Sequence, residues 1–402
     1  MALEHQKAIA QPFQTVRPMM EKVEGRNQTI ITEFILLGFG EGPELQPLLF
    51  FVFFVIYFVT LTGNLFIIAL VVADQHLHTP MYFFLWNLAF LETSYTCTIL
   101  PRLLASLLTG DRAISVKGCL VQFYFFGILA TIEIIILTAM SYDRYLAIYH
   151  PLRYTALMNV RVCSQLVAGS WMVSIVTCTI VDSFMFQLTF CNSREIDHFF
   201  CDFTSMLPLS CSDTQTVQLL ALIAAVIWTV VPFLLTLASY VCIISAILKI
   251  PSNGRQKAFS TCSSHLMVVT LHYGISFAVY VVPIVSAPKV SQKVFSVFCT
   301  VLTPMINPII YCLRNKEVNE SLRKARPMME KVERRNQTLI TEFILLGFGE
   351  GPELQPLLFF VFFVIYFVTL TGNLFIIGDF LHLHHPAQAA GQSPDWGQSH
   401  LP

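Results

Sequence analysis

Residues 45–73 run without a single Asp, Glu, Lys or Arg. A helix crosses about 30 Å of hydrocarbon with roughly 20 mainly apolar residues, so this stretch is long enough to span a bilayer. Six more follow, at 80–108, 119–142, 162–181, 214–248, 258–288 and 294–313. Glu92 and Arg102 interrupt the second and Glu133 the third, while the fifth and sixth carry no charge. All are too long for strands and lack the alternation of a membrane barrel. The expected fold is an all-α membrane protein, a seven-transmembrane helical bundle over 45–313. Composition agrees: 55% of the chain is hydrophobic and only 12% charged, against about 25% charged in soluble domains. A net charge of -1 and the lack of a basic block argue against a nucleic-acid partner.

Basic residues set the orientation. Arg153 and Arg161 lie between spans three and four, Lys249, Arg255 and Lys257 between five and six, and Arg314, Lys316, Arg323, Lys324 and Arg326 after the seventh. Between four and five, Arg194 is outweighed by Glu195, Asp197, Asp202 and Asp213. The richer set reads as cytoplasmic, which puts residues 1–44 outside. Asn27-Gln28-Thr29 is a glycosylation sequon on that side. Residues 1–19 lack an apolar core, so the first span is expected to act as the insertion signal.

The segment 17–68 recurs as 326–377 with two differences, Gly25 against Arg334 and Ile30 against Leu339. Solenoids repeat short units many times, and transporter repeats cover half a protein with weak similarity. One near-identical span matches neither and reads as a recent exon duplication or an assembly error. If translated, 327–377 supplies an extra C-terminal hydrophobic helix, an eighth span. Residues 378–402 are rich in His, Pro, Gln and Gly and read as a disordered tail.

Charges inside spans cost several kcal/mol unless paired or hydrated, so each marks a site. Glu92 and Glu133, with Asn64 in span one and Asn307 in span seven, fall at similar depth and could ring a hydrated pocket. Two carboxylates there favour a cation, or one of them holds a proton; a plain helix–helix hydrogen-bond network is the other reading. Asp143-Arg144-Tyr145 closes span three at the inner face, where the Asp can neutralise the Arg. Pro232, Pro304 and Pro308 allow kinks. Cys119, Cys191, Cys201 and Cys211 lie on the outer side, where disulfides can form in any of three pairings. Metal ligation is disfavoured by the lack of a Cys-x-x-Cys pair. No enzyme motif occurs: there is no His-Glu-x-x-His, no nucleotide loop and no Gly-x-Ser-x-Gly.

The motifs then narrow the class. Asp143-Arg144-Tyr145 and Asn307-Pro308-Ile309-Ile310-Tyr311, on seven spans, resemble those of rhodopsin-class G protein-coupled receptors. Leu77-His78-Thr79-Pro80-Met81-Tyr82, Met140-Ser141-Tyr142-Asp143-Arg144-Tyr145-Leu146-Ala147-Ile148-Tyr149, Ser239-Tyr240, Lys257-Ala258-Phe259-Ser260-Thr261-Cys262 and Pro304-Met305-Ile306-Asn307-Pro308 are similar, in order, to the signatures of olfactory receptors of the tetrapod type. The likeness covers roughly 20–326. Tyr149 replaces the family's usual Cys, and Glu92 stands where many members have Asp.

The resemblance implies a plasma-membrane receptor that binds a small volatile odorant and raises cAMP through a stimulatory heterotrimeric G protein. It implies bridges Cys119–Cys201 and Cys191–Cys211, and a sodium-like ion site at Glu92, Glu133, Asn64 and Asn307. Arg144 would leave Asp143 and move toward Tyr240 and Tyr311 on activation, beside Tyr145. Segment 314–326 would lie along the membrane as a short helix. The odorant would sit between spans three, five and six, near Gly127, Ala130, Thr131, Ala224, Ala225, Trp228 and Tyr280, a set that suits a small, mainly apolar ligand. No resident cofactor beyond that ion is implied. A transporter or channel is the competing class, and the lack of paired broken helices counts against it.

Overall fold

The computed structural model describes residues 31–40, 42, 44–249, 251–280 and 289–314. Asn27, the 314–326 segment beyond its first residue, the repeated 327–377 and the tail 378–402 lie outside the described residues.

Among the described residues there are seven long helices: α1 Gln46–Ala73, α2 Pro80–Thr109, α3 Val116–Tyr149, α4 Val160–Met185, α5 Gln215–Lys249, α6 Ser252–Tyr280 and α7. The last comprises Lys289–Val297, a π turn at Phe298–Leu302 and Thr303–Arg314. A second π turn, Val226–Val230, sits within α5. Local chemistry sets several ends. Prolines occupy the first turns of α1 and α2, where the missing N–H costs nothing. Ser115 and Asn159 cap α3 and α4 by accepting from the N–H of Gly118 and Val162. Gly110, at φ 75°, closes α2 in the left-handed conformation.

Among the described residues, α1, α3, α4, α5 and the 293–311 part of α7 are apolar and long enough to cross a membrane. At 30 and 29 residues, α2 and α6 are long enough as well but more polar. For α2 the reason is its position. It buries Asn87, Glu92, Thr93, Ser94 and Thr96 against the other helices, so those side chains meet protein rather than lipid. On α1 and α5 the apolar side chains of Phe51, Phe58, Leu222 and Leu234 remain exposed, as lipid-facing positions should. The 34 residues of α3 extend about 50 Å, well beyond the hydrocarbon.

One end of the bundle carries a small sheet that hydropathy gives no hint of. Strand β1 (Glu33–Leu36) runs antiparallel to β2 (Ala113–Ser115), with Phe34 opposite Ile114, and parallel to β3 (Glu195–Ile196), with Leu36 opposite Ile196. Its apolar side joins Phe34, Ile114, Met185, Phe190, Ile196 and Met206 in a second core. The main core joins α1, α2, α3 and α7.

Candidate functional site

The middle of the bundle holds the predicted polar cluster. Pro308 has no N–H to give the carbonyl four residues back, that of Pro304. Asn64 Nδ2 donates to that carbonyl at 3.1 Å. The helices can approach because residue 63 is glycine: a Cβ there would sit 3.2 Å from Pro308 Cγ. Asn307 then donates to Glu92 Oε1 at 2.5 Å, and Glu92, 1% exposed, also feels Asn64 and Glu133. Glu133 Oε1 lies 3.3 Å from Nδ1 of His272 on α6, a residue that a search for charged side chains in spans passes over.

The four predicted residues are therefore all buried and gathered about Glu92. The side-chain oxygens of Asn64 and Asn307 are buried without a hydrogen-bond partner. Two unused amide oxygens beside a carboxylate match the all-oxygen donor set that a hard cation takes. Among the described residues no group of three or more His, Cys, Asp or Glu forms a metal site.

At the far end from the sheet, Arg144 Nε and a terminal guanidinium nitrogen donate to Asp143 Oδ2 at 2.9 and 2.5 Å. Tyr154, in the one-turn helix Tyr154–Leu157, donates to Asp143 Oδ1 at 2.7 Å. Burial and the Asp143 carboxylate push the Tyr154 phenol up, so it stays a donor. Tyr240 is bonded elsewhere: its hydroxyl lies 2.6 Å from Nδ1 of His265 on α6. Tyr311 is fully buried and its hydroxyl has no partner. Tyr145 stacks on Tyr142 and Tyr149. The arrangement is closed, with Arg144 neutralised by its neighbour.

The predicted odorant residues lie on α3, on α5 and at the end of α6. Gly127 and Thr131 both lie beside Cys178 of α4: a Cβ on Gly127 would stand 3.4 Å from its sulfur, and the Thr131 hydroxyl next to it donates to the Gly127 carbonyl at 2.8 Å. Their described neighbour is thus α4. Ala130 packs on the main core. On α5, Ala224 and Trp228 are half-buried and Ala225 is exposed. Tyr280 ends α6, and its side chain lies outside the described residues. A separate small cleft, with a cavity volume of only about 30 Å³, lies at the sheet end, lined by Phe39, Leu49, Leu103, Leu107 and Arg112 among others, and contains none of the predicted set.

Loop 186–214 is fastened over the sheet end. Cys119 is bridged to Cys201 and Cys191 to Cys211, with Cα separations of 5.4 and 5.8 Å. Lys293 of α7 donates to Asp197 and to the Gly38 carbonyl. His198 is buried, with Nε2 3.2 Å from Ser296 Oγ.

The family model described as "Olfactory receptor" matches residues 53–331. The chain is 46% identical over 303 residues to "Olfactory receptor 1M1" of Homo sapiens, covering 75% of this chain and 97% of that one. It is 45% identical over 303 residues to "Olfactory receptor 5AP2" of Mus musculus, covering 75% and 96%. It is also 47% identical over 306 residues to "Olfactory receptor 11A1" of Homo sapiens, covering 76% and 96%.

Proposed function

Since the chain belongs to the olfactory receptor family, a family of multi-pass plasma-membrane receptors that bind odorants and couple to G proteins, we propose that it detects a small, mainly apolar volatile and activates a stimulatory G protein, raising cAMP. The observation that supports this best is the closed Asp143–Arg144 pair beside a Tyr240 engaged by His265. In this reading the odorant lodges toward the sheet end, around Ala130, Gly127, Thr131, Ala224, Ala225, Trp228 and Tyr280. It acts by preferring an open bundle over the closed one. Opening frees Arg144 from Asp143, lets it meet Tyr240 and Tyr311, and admits the G protein beside Tyr145. The sheet end and residues 1–44 are extracellular, with Asn27 glycosylated. Segment 314–326 lies on the inner surface.

The oxygens of Glu92, Asn64 and Asn307, with Glu133 nearby, would hold a sodium ion. Such an ion neutralises buried carboxylate charge and favours the closed state. The repeated span 327–377 and tail 378–402 are passengers in this reading.

A cAMP-driven luciferase assay with a panel of volatiles tests it, comparing the full chain with one ending after Arg326 and scoring surface staining in parallel. A volatile should raise cAMP in cells carrying the receptor, and Arg144→Ala should remove both that response and any basal signal. Surface-stained receptor whose signal survives Arg144→Ala would overturn it.

A further inference from the structure

Passenger in odorant detection, the repeated span still copies a helix whose seat in the bundle is defined. Residues 354–378, like 45–73, hold no Asp, Glu, Lys or Arg, and up to Ile377 they match the first span residue for residue. Three positions fix α1 in place. Thr60 and Asn64 are wholly buried, and Asn64 Nδ2 donates to the Thr60 and Pro304 carbonyls, both at 3.1 Å. Gly63 leaves room for Pro308. Thr369, Gly372 and Asn373 repeat these residues.

The copy cannot take the same seat. α1 fills it, and the copy runs the other way. α1 starts beside the sheet, whereas Lys293, near the start of α7, is bonded to the Gly38 carbonyl at that same end. The chain therefore leaves α7 at the far, inner end. Lys331, Arg334 and Arg335 precede the apolar run and no Lys or Arg follows it, a bias that keeps its start on the inner side. The exposed hydroxyls of Thr62, Ser239 and Ser245 on α1 and α5 are turned onto carbonyls of their own helices, so these lipid-facing sides offer no free donor.

An Asn within hydrocarbon can bond the carbonyl four residues back, as Asn64 does. One N–H and the amide oxygen then stay unpaired, which is unfavourable without water. A second copy of the chain removes that cost. Two such runs, each entering from the inner side, are parallel, and Asn373 meets Asn373 at one depth. Each amide can give its N–H to the other's oxygen, the self-complementary contact of a twofold pair. Gly372, lacking a Cβ, lets the backbones approach.

We propose that residues 354–378 cross the membrane as an eighth span and pair two copies of this chain through Asn373. The tail 378–402 is then extracellular.

The test uses the full chain in cells, with one of two epitope tags at its N-terminus and a third at its C-terminus. The C-terminal tag should stain intact cells, as the N-terminal tags do. Capture of one N-terminal tag in mild detergent should bring down the chain carrying the other, at least about fivefold more than for chains ending after Arg326. Lysates of singly expressing cells, mixed after lysis, set the background. Asn373→Leu should remove the excess while leaving both stainings intact, and Asn373→Gln should retain it. A C-terminal tag that stains only after permeabilisation, capture no better than that of the shortened chain, or an excess that survives Asn373→Leu would each overturn the proposal. An outer C-terminus without capture would mean that the span docks within its own chain, and also overturns it. All of these outcomes leave the odorant-receptor reading standing.

Discussion

Glu133 of α3 and His272 of α6 face each other at 3.3 Å inside the bundle, both almost wholly buried. Two further bonds join α6 to its neighbours, Tyr240 to His265 and Thr138 to Tyr273. The buried pair therefore ties α6 to the polar cluster around Glu92. Removing one partner leaves the other buried and unpaired, which is worse than removing both. His272→Ala and Glu133→Gln should each lower the melting temperature of the purified receptor, and the double variant should lose less than their sum. Coupling of about 0.6 kcal/mol, and up to about 1.7, is expected for a pair inside a membrane bundle. Strict additivity would mean that the contact contributes nothing.

The two disulfides close loops of very different size, with sequence separations of 82 and 20. Loop-closure entropy assigns about 4 to 5 kcal/mol to the first and about 3 kcal/mol to the second. The first also ties α3 to the loop over the sheet end. Cys119→Ser should nearly abolish surface staining, and Cys191→Ser should reduce it less. The reverse order would show that the small loop, rather than the tie to α3, governs folding of this end.

Tyr154 bonds the carboxylate oxygen of Asp143 that Arg144 leaves free. A hydrogen bond to a charged group contributes about 1.5 to 3 kcal/mol, less where water can replace it. Tyr154→Phe should weaken the closed state by about 1 kcal/mol, roughly a fivefold change in population. Basal cAMP per receptor at the surface should rise by about that factor. An unchanged basal signal would place Tyr154 outside the switch.

Much of this is legible in the sequence because the bilayer imposes one rule: long apolar runs must be helices. Glu92, Glu133, Asn64 and Asn307 stand out as polar groups within such runs, and the structure gathers them. The residues that escape do so for identifiable reasons. Asp182 falls one position beyond the apolar stretch 162–181, while α4 continues to Met185. His272 carries no formal charge in a residue count, so its pairing with Glu133 depends on tertiary geometry. The sheet joins three short segments far apart in the chain, and no local periodicity predicts such pairing. Gly127 and Thr131 are on the expected helix, but the side they present is fixed by how α3 rotates against α4.

His198 gives the sheet end a dependence on pH. Its ring packs against Phe199 and Phe200 and reaches Ser296 of α7. Burial holds its pKa below the ordinary histidine range. The Asp202 and Asp197 carboxylates oppose that shift, and Lys293 adds to it. The folded protein thus disfavours the imidazolium, and the unfolded chain takes up the proton first. The stability from the docked neutral ring is complete above about pH 6.5 and declines as pH falls below it, until the folded ring is itself protonated. Melting of purified receptor measured from about pH 7.5 down to about pH 5 should fall more steeply for the native chain than for His198→Gln, which keeps a polar group but cannot titrate. Equal slopes would show that His198 does not set the acid sensitivity of this end.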